Sequence, residues 1–101
     1  MPKEMQQGWV GMADGMYSNA QMARDEAVRS ASLAAMTLML AAESEGLASG
    51  PMIGFDAAAV SREFGLGPDE IPVMLLTVGY AAPGNWPRKP RFPASQILSF
   101  A

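Results

Sequence analysis

The apolar residues at the start of the chain recur at helical spacing. Met5, Trp9, Met12 and Met16 are separated by four, three and four positions, which places them on one face of a helix. Three glycines interrupt this pattern and weaken the helix. Two interpretations of residues 1–22 stay open: a mobile, methionine-rich helical lid over a pocket, or a marginal helix docked on the core.

A second, longer helix is predicted over residues 23–46. Between Ala31 and Ala42 nearly every residue is apolar, so this part of the helix needs packing partners on most of its sides. Its many alanines keep the helix slim, which allows another helix to approach closely. Because a chain of 101 residues has little else to surround such a helix, the pattern predicts either a missing half of the domain or a large interface.

Local signals mark the two ends of this long helix. Ser18 or Asn19 can cap its N-terminus, and Asp25 with Arg29 is spaced for an ion pair on its early turns. Gly46 is suited to end the helix because glycine readily adopts a positive φ.

The segment after this helix is predicted to be a loop followed by a short helix. Leu47–Phe55 contains Gly and Pro and is interpreted as a loop, and Asp56 as the N-cap of a helix over Ala57–Phe64. Gly65 followed by Leu66 predicts a Schellman-type end of that helix.

The last third of the chain supplies the strand candidates. Val73–Val78 is a continuous apolar run of strand length, and Gln96–Phe100 is the other candidate. Ala81–Pro93, between them, is rich in Pro and Gly. This intervening segment contains three basic residues in four positions: Arg88, Lys89 and Arg91.

Composition narrows the possible chemistry. The net charge of −3 disfavours general binding of nucleic acid, and the absence of Cys and His excludes the usual zinc sites and the Ser-His-Asp and Cys-His mechanisms within this chain. No metal site is expected. Chemistry based on carboxylates, on Lys or Tyr, or on a bound cofactor remains.

The distribution of apolar residues indicates neither a secretory signal nor a membrane span. The first eight residues have no basic start followed by an apolar core, and the longest apolar stretch is shorter than the roughly 18 residues that a span needs. A cytoplasmic protein without a membrane partner is the expectation.

Four segments, in this order and spacing, resemble the C-terminal half of the FMN-dependent nitroreductase family. They are A-R-D-E-A-V-R-S-A-S-L-A-A-M-T-L-M-L-A-A-E-S-E-G-L from residue 23, P-M-I-G-F-D from residue 51, I-P-V-M-L-L-T-V-G-Y from residue 71 and W-P-R-K-P-R-F-P from residue 86. The resemblance implies an α+β flavoprotein fold, a homodimer with an extensive helical interface, and FMN bound between the subunits. In that family, exchange of the C-terminal tail onto the partner's sheet is also common.

The resemblance further implies how residues 1–101 are organised. No counterpart of the family's N-terminal half is present among them, so they are expected to form a single partial domain. Its parts are the lid-like helical segment 1–22, the core or dimer helix 23–46, and a region 47–101 with the flavin-contacting loop, the short helix, one core strand and an extended tail.

One set of implied cofactor-binding residues lies in the loop before the short helix. Pro51, Met52, Ile53 and Gly54 align with the segment that passes along the flavin ring, where the amides of Ile53 and Gly54 would face N5 and O4. Glycine allows a backbone to approach a planar ligand closely, which agrees with this role. Without the resemblance, the favoured role of Gly54 is the turn into the following helix.

A second implied set lies in the basic stretch. Lys89 and Arg91 align with the pair that reaches the FMN phosphate, and a point charge together with a guanidinium fork suits phosphate oxygens. Two other interpretations stay open. The stretch is either a solvated basic loop or, with Trp86 and Phe92 beside it, a platform on which nucleic-acid bases stack.

The function implied is that of an FMN-dependent NAD(P)H oxidoreductase. It would reduce nitroaromatic or quinone-like acceptors by hydride transfer through flavin N5, with no catalytic side chain from this chain. The alternative is a truncated, non-catalytic fragment that dimerises through its helices or binds flavin without turnover.

Overall fold

The computed structural model describes all residues, Met1–Ala101, as an α+β arrangement of four helices and a two-stranded sheet. The elements in chain order are α1 (Lys3–Met16), α2 (Ala20–Ser44), β1 (Ala48–Met52), α3 (Ala57–Glu63), β2 (Leu75–Gly79) and α4 (Ala94–Ile97).

The start of α2 confirms one of the two predicted caps. Asn19 is the N-cap, and its Oδ1 accepts hydrogen bonds from the amides of Gln21 at 2.9 Å and Met22 at 3.2 Å. These two N–H groups have no partner within the helix, so the cap stabilises the first turn. Ser18 instead donates its hydroxyl to the carbonyl oxygen of Gly15 at 2.8 Å.

The predicted ion pair between Asp25 and Arg29 is wrong. Arg29 pairs with Glu26, three positions earlier, while Asp25 accepts a hydrogen bond from Gln21 Nε2 at 2.8 Å. Both spacings bring side chains together on a helix, so two acidic neighbours compete for one arginine and the sequence does not decide between them.

The end of α2 is a Schellman motif. Gly46 has φ of +73°, its amide donates to the carbonyl of Glu43 at 3.0 Å, and the amide of Leu47 donates to the carbonyl of Ala42 at 2.9 Å. This confirms the predicted stop at Gly46, because a left-handed residue at this position suits glycine.

The short helix α3 begins and ends as predicted to within one residue. Asp56 Oδ1 accepts from the amide of Ala59 at 3.0 Å and caps the helix. Gly65 has φ of +64°, and the amide of Leu66 donates to the carbonyl of Ser61 at 2.9 Å, which closes the second Schellman motif.

The sheet contains a strand that the sequence did not predict. β1 and β2 pair antiparallel, with Ala48 opposite Gly79 and Met52 opposite Leu75, so the loop expected over Leu47–Phe55 is wrong for its first half. The sequence A-S-G-P-M has low strand propensity, so the pairing with β2 makes it a strand. The predicted strand over residues 73–78 is confirmed, although β2 is shifted by two residues at its start and one at its end.

The tail differs from its prediction. The expected strand over Gln96–Phe100 is wrong, because residues Ala94–Ile97 form the single helical turn α4. The amide of Gln96 donates to the carbonyl of Pro93 at 3.0 Å, and the amide of Leu98 to that of Ala94 at 2.8 Å. In this chain no neighbouring strand pairs with the tail, so local hydrogen bonds determine its conformation.

The elements enclose almost no core. α2 packs against both strands, yet Ala42 is the one buried residue, and Leu33 and Leu40 of α2 are 66% and 59% exposed. The radius of gyration is 18.8 Å, where a compact domain of this length has about 13 Å. The packing partners predicted for the apolar part of α2 therefore do not come from within this chain.

The accessible surface shows the same deficit in packing. It is 8915 Å², whereas a compact protein of 10.7 kDa exposes about 5,500 Å².

Although α2 has 25 residues, neither it nor any other helix combines the length and the apolar character that crossing a membrane requires.

Candidate functional site

The first predicted flavin-binding set spans the end of β1 and the loop before α3. Pro51 and Met52 are the last two residues of the strand, and Ile53 and Gly54 follow it outside any helix or strand. Ile53 is 74% exposed, and a Cβ built on Gly54 would meet no atom within 4 Å. One side of this loop is therefore open to a ligand.

A close contact between the strands holds the backbone just before this loop. Thr77 of β2 donates its hydroxyl to the carbonyl of Gly50 at 3.3 Å. A Cβ on Gly50 would lie 2.9 Å from Thr77 Oγ1, so any larger residue here would force Thr77 to rotate or the strands to separate. Gly50 was not predicted as a site residue, because the strand that contains it was predicted as a loop, where a glycine next to a proline indicates a turn.

The second predicted set is accessible and free of acidic partners. Arg88, Lys89 and Arg91 are exposed and lie in residues 85–93, which form neither helix nor strand. The chain has a single ion pair, between Arg29 and Glu26, so no carboxylate neutralises Arg88, Lys89 or Arg91. Arg91 Nη1 donates to the carbonyls of Lys89 at 3.4 Å and Pro90 at 3.2 Å.

Within each predicted set the residues are close in sequence and in space. No hydrogen bond or ion pair connects the set in the loop with the set in the basic stretch. The structure also contains a groove of about 350 Å³ that was not predicted from the sequence and that neither set lines. Both strands and the chain that follows β2 line it: Ala48, Ser49, Gly50, Thr77, Val78, Gly79, Tyr80, Ala81, Ala82 and Asn85.

The residues present fit the requirements of a flavin mononucleotide at its two ends. A phosphate needs cationic donors without competing carboxylates, which Lys89 and Arg91 provide. A planar ring needs open backbone, which Ile53 and Gly54 provide. No part of the chain covers the opposite face of such a ligand.

Comparison with known sequences places the chain in one family. The sequence profile of the Nitroreductase family matches residues 11–80. A Bacillus subtilis (strain 168) protein with the provisional name NAD(P)H nitroreductase YodC is 36% identical over 98 residues, which are 96% of this chain and 48% of that protein. MhqN of the same organism, also provisionally named an NAD(P)H nitroreductase, is 41% identical over 81 residues, 79% of this chain and 39% of that protein.

Solved structures share the fold. A nitroreductase-like protein from Exiguobacterium sibiricum 255-15, solved in complex with FMN, superimposes with a TM-score of 0.86 at 32% identity, covering 100% of this chain and 49% of that one. A protein described as an NAD(P)H:FMN oxidoreductase from Staphylococcus epidermidis ATCC 12228 superimposes with a TM-score of 0.88 at 26% identity, covering 100% and 48%.

The matches also show how much of the family fold is present. The chain spans about half the length of the curated relatives and of the solved structures that it matches. Within that span the arrangement of helices and strands is the nitroreductase-like α+β fold expected from the sequence. The chain therefore belongs to the nitroreductase family.

Proposed function

We propose that the protein acts as an FMN-dependent NAD(P)H oxidoreductase that reduces nitroaromatic or quinone-like acceptors. The observation that supports this most directly is the fold shared with a solved relative in complex with FMN, at a TM-score of 0.86 over the whole chain. The names of the curated relatives, NAD(P)H nitroreductases, agree with it. When bound, FMN supplies the chemistry by accepting and passing on hydride at N5.

The role proposed for this chain's own residues is to bind and orient the flavin. Lys89 and Arg91 hold its phosphate, since they are exposed cations without acidic partners. The amides of Ile53 and Gly54 face the polar edge of the ring, and the pairing of Pro51 and Met52 with β2 fixes where that loop begins. None of these residues exchanges a proton with the substrate.

The site also requires protein outside this chain. We propose a cytoplasmic homodimer in which 23–46 contributes the main helical interface, 1–22 forms a lid-like segment and 47–101 contacts the flavin. Support comes from the exposed apolar residues of α2 and from the single buried residue of the whole chain. Because a flavin ring needs protein on both faces to exclude water, the partner would complete the pocket.

The test of the proposed function is turnover by flavin-loaded protein. Purified protein reconstituted with FMN should show flavin absorbance and should oxidise NAD(P)H when a nitroaromatic or a quinone is added. Both acceptor classes should give turnover that depends on FMN. Bound flavin without turnover on either acceptor class would contradict the proposal.

The second candidate is a non-catalytic fragment that dimerises through its helices or binds flavin without turnover. The absence of a closed core favours it, since only Ala42 is buried within the chain. Colour and activity separate the two candidates. A colourless dimer after incubation with FMN identifies the dimerisation fragment, and a coloured, inactive protein identifies the flavin-binding one.

A further inference from the structure

A repeat of prolines organises the basic segment. Pro87, Pro90 and Pro93 recur at every third residue, and each proline fixes its own φ near −65° while restricting the preceding residue to extended conformations. Pro93 has φ of −63° and ψ of 149°, which is the polyproline II conformation. Residues 85–93 form neither helix nor strand, as expected for such a segment.

A polyproline II helix has three residues per turn and rises about 3.1 Å per residue, so its side chains fall into three ridges. The prolines occupy one ridge of residues 86–93. The other two ridges carry the polar and aromatic side chains: Arg88 and Arg91 on one, and Trp86, Lys89 and Phe92 on the other.

The prolines also limit the conformational entropy that this segment loses on binding, because its backbone is already restricted before a ligand arrives. Trp86 is 89% exposed and Phe92 is 75% exposed, so their ring faces are available.

The segment holds more positive charge than the flavin phosphate needs. Lys89 and Arg91 together balance a phosphate dianion, and Arg88 then remains without an acidic partner in the chain. The other substrate of the proposed reaction is a nicotinamide nucleotide, and its NADPH form carries an additional phosphate on the adenosine ribose. Arginine suits that group because its fork matches phosphate oxygens, and arginine accommodates this 2′-phosphate in other nucleotide-binding folds.

Trp86 and Arg88 lie on two different but adjacent ridges, so a nucleotide that contacts both must lie across the groove between these ridges. Two residues of polyproline II separate their backbones by about 6 Å along the axis. Adenine and the 2′-phosphate are attached to the same ribose, so the ring and the anion lie one sugar apart. An exposed indole offers a face on which an adenine ring stacks.

We propose that Trp86 and Arg88 bind the adenosine 2′-phosphate end of NADPH and give the protein a preference for NADPH over NADH. Trp86 stacks on the adenine, and Arg88 pairs with the 2′-phosphate. This inference rests on the proposed function, and it assigns to Arg88 a role separate from that of the flavin-binding pair Lys89 and Arg91.

Tryptophan fluorescence tests the binding step without any flavin. In a Trp9→Phe background, Trp86 is the one remaining tryptophan, since the chain has two. Adenosine 2′,5′-bisphosphate should quench it at about tenfold or more lower concentration than adenosine 5′-monophosphate. Arg88→Gln should abolish the difference, and Arg62→Gln, which removes an equal charge from α3, should preserve it.

Steady-state kinetics of the FMN-loaded protein test the preference itself. Arg88→Gln should raise KM for NADPH by about tenfold or more and leave KM for NADH unchanged, whereas Trp86→Ala should raise both. Flavin absorbance should stay the same in both variants, because neither residue contacts the flavin in this proposal.

Several results would overturn the proposal. The proposal is wrong if the two adenosine compounds quench Trp86 at equal concentrations, or if Arg88→Gln leaves the difference between their quenching concentrations unchanged. It is also wrong if a single-stranded oligonucleotide binds more tightly than adenosine 2′,5′-bisphosphate. Failure of the wild-type protein to bind FMN contradicts the proposed function and is detected separately by absorbance. If the protein binds flavin but has equal KM values for NADPH and NADH, the preference for NADPH is wrong while the proposed function stands.

Discussion

Individual residues of this chain are placed by two kinds of interaction, hydrogen bonds to nearby backbone and contacts across the sheet. Asn19 and Asp56 cap helices through their own side-chain oxygens, and their partners lie within three residues. Lys89 and Arg91 are different, because neither contacts any carboxylate and both remain exposed. Such cations are available for an external anion, and this availability makes their role testable.

Removing both cations should weaken FMN binding selectively. Lys89→Ala with Arg91→Ala should raise the Kd of FMN by about tenfold or more, because charge-assisted contacts to the phosphate are lost. Riboflavin lacks the phosphate, so its Kd should hardly change. Flavin fluorescence titration measures both constants.

The matched control removes two positive charges elsewhere. Lys3→Ala with Arg62→Ala changes the net charge equally and should leave both flavins unaffected. If FMN and riboflavin lose affinity to the same extent in the Lys89 and Arg91 variant, the basic stretch is a solvated loop.

At the scale of elements, the pairing of β1 with β2 depends on a close approach at Gly50. Because Cβ at this position would lie 2.9 Å from Thr77 Oγ1, Gly50→Ala forces Thr77 to rotate or the strands to separate. Thr is stiff at χ1, and rotation also breaks its hydrogen bond to the Gly50 carbonyl. We expect a loss of about 1 to 3 kcal/mol in the free energy of unfolding, measured by urea denaturation.

A second substitution checks the physical reason for that loss. Thr77→Ala removes the obstructing hydroxyl, so Gly50→Ala should cost much less in that background than in the wild type. Equal costs in the two backgrounds would mean that the contact with Thr77 is not the cause. The predicted flavin-binding set begins at Pro51, one residue after Gly50, so Gly50→Ala should also weaken FMN binding if that set contacts the flavin.

The whole molecule exposes far more surface than a compact chain of its size, and many of its large apolar side chains are exposed. Its accessible surface exceeds the compact value by about 3,400 Å², which is about four times the roughly 800 Å² that each partner buries in an ordinary interface. We therefore predict a homodimer or higher oligomer. Sedimentation at micromolar concentration should give at least twice the 10.7 kDa of one chain.

The interface of that oligomer should include the apolar face of α2. Leu33→Glu and Leu40→Glu place charges at exposed positions of the helix, so each should shift the equilibrium towards monomer if that face is covered in the assembly. Gln7→Glu, at an exposed position of α1, changes the net charge equally and is the matched control, which should have little effect. A compact, folded monomer of the wild-type chain would contradict the prediction.

The sequence by itself determined those features whose hydrogen bonds close within a few residues. The cap at Asn19, the glycine ends at Gly46 and Gly65, and the span of α3 follow from local rules of helix termination. The family resemblance was also correct, because several local segments in a fixed order are more specific than any one of them.

Only the tertiary structure decided the features that depend on a distant partner. A-S-G-P-M is a strand because β2 lies beside it, and the Gly50–Thr77 contact joins residues 27 positions apart. A helical turn rather than a strand in the tail likewise reflects the absence of a neighbouring strand. The choice of Glu26 over Asp25 as the partner of Arg29 is instead local to α2, where both spacings bring side chains together and the sequence alone does not decide. Strand pairing is decided by the partner strand, whereas a helix satisfies its own backbone.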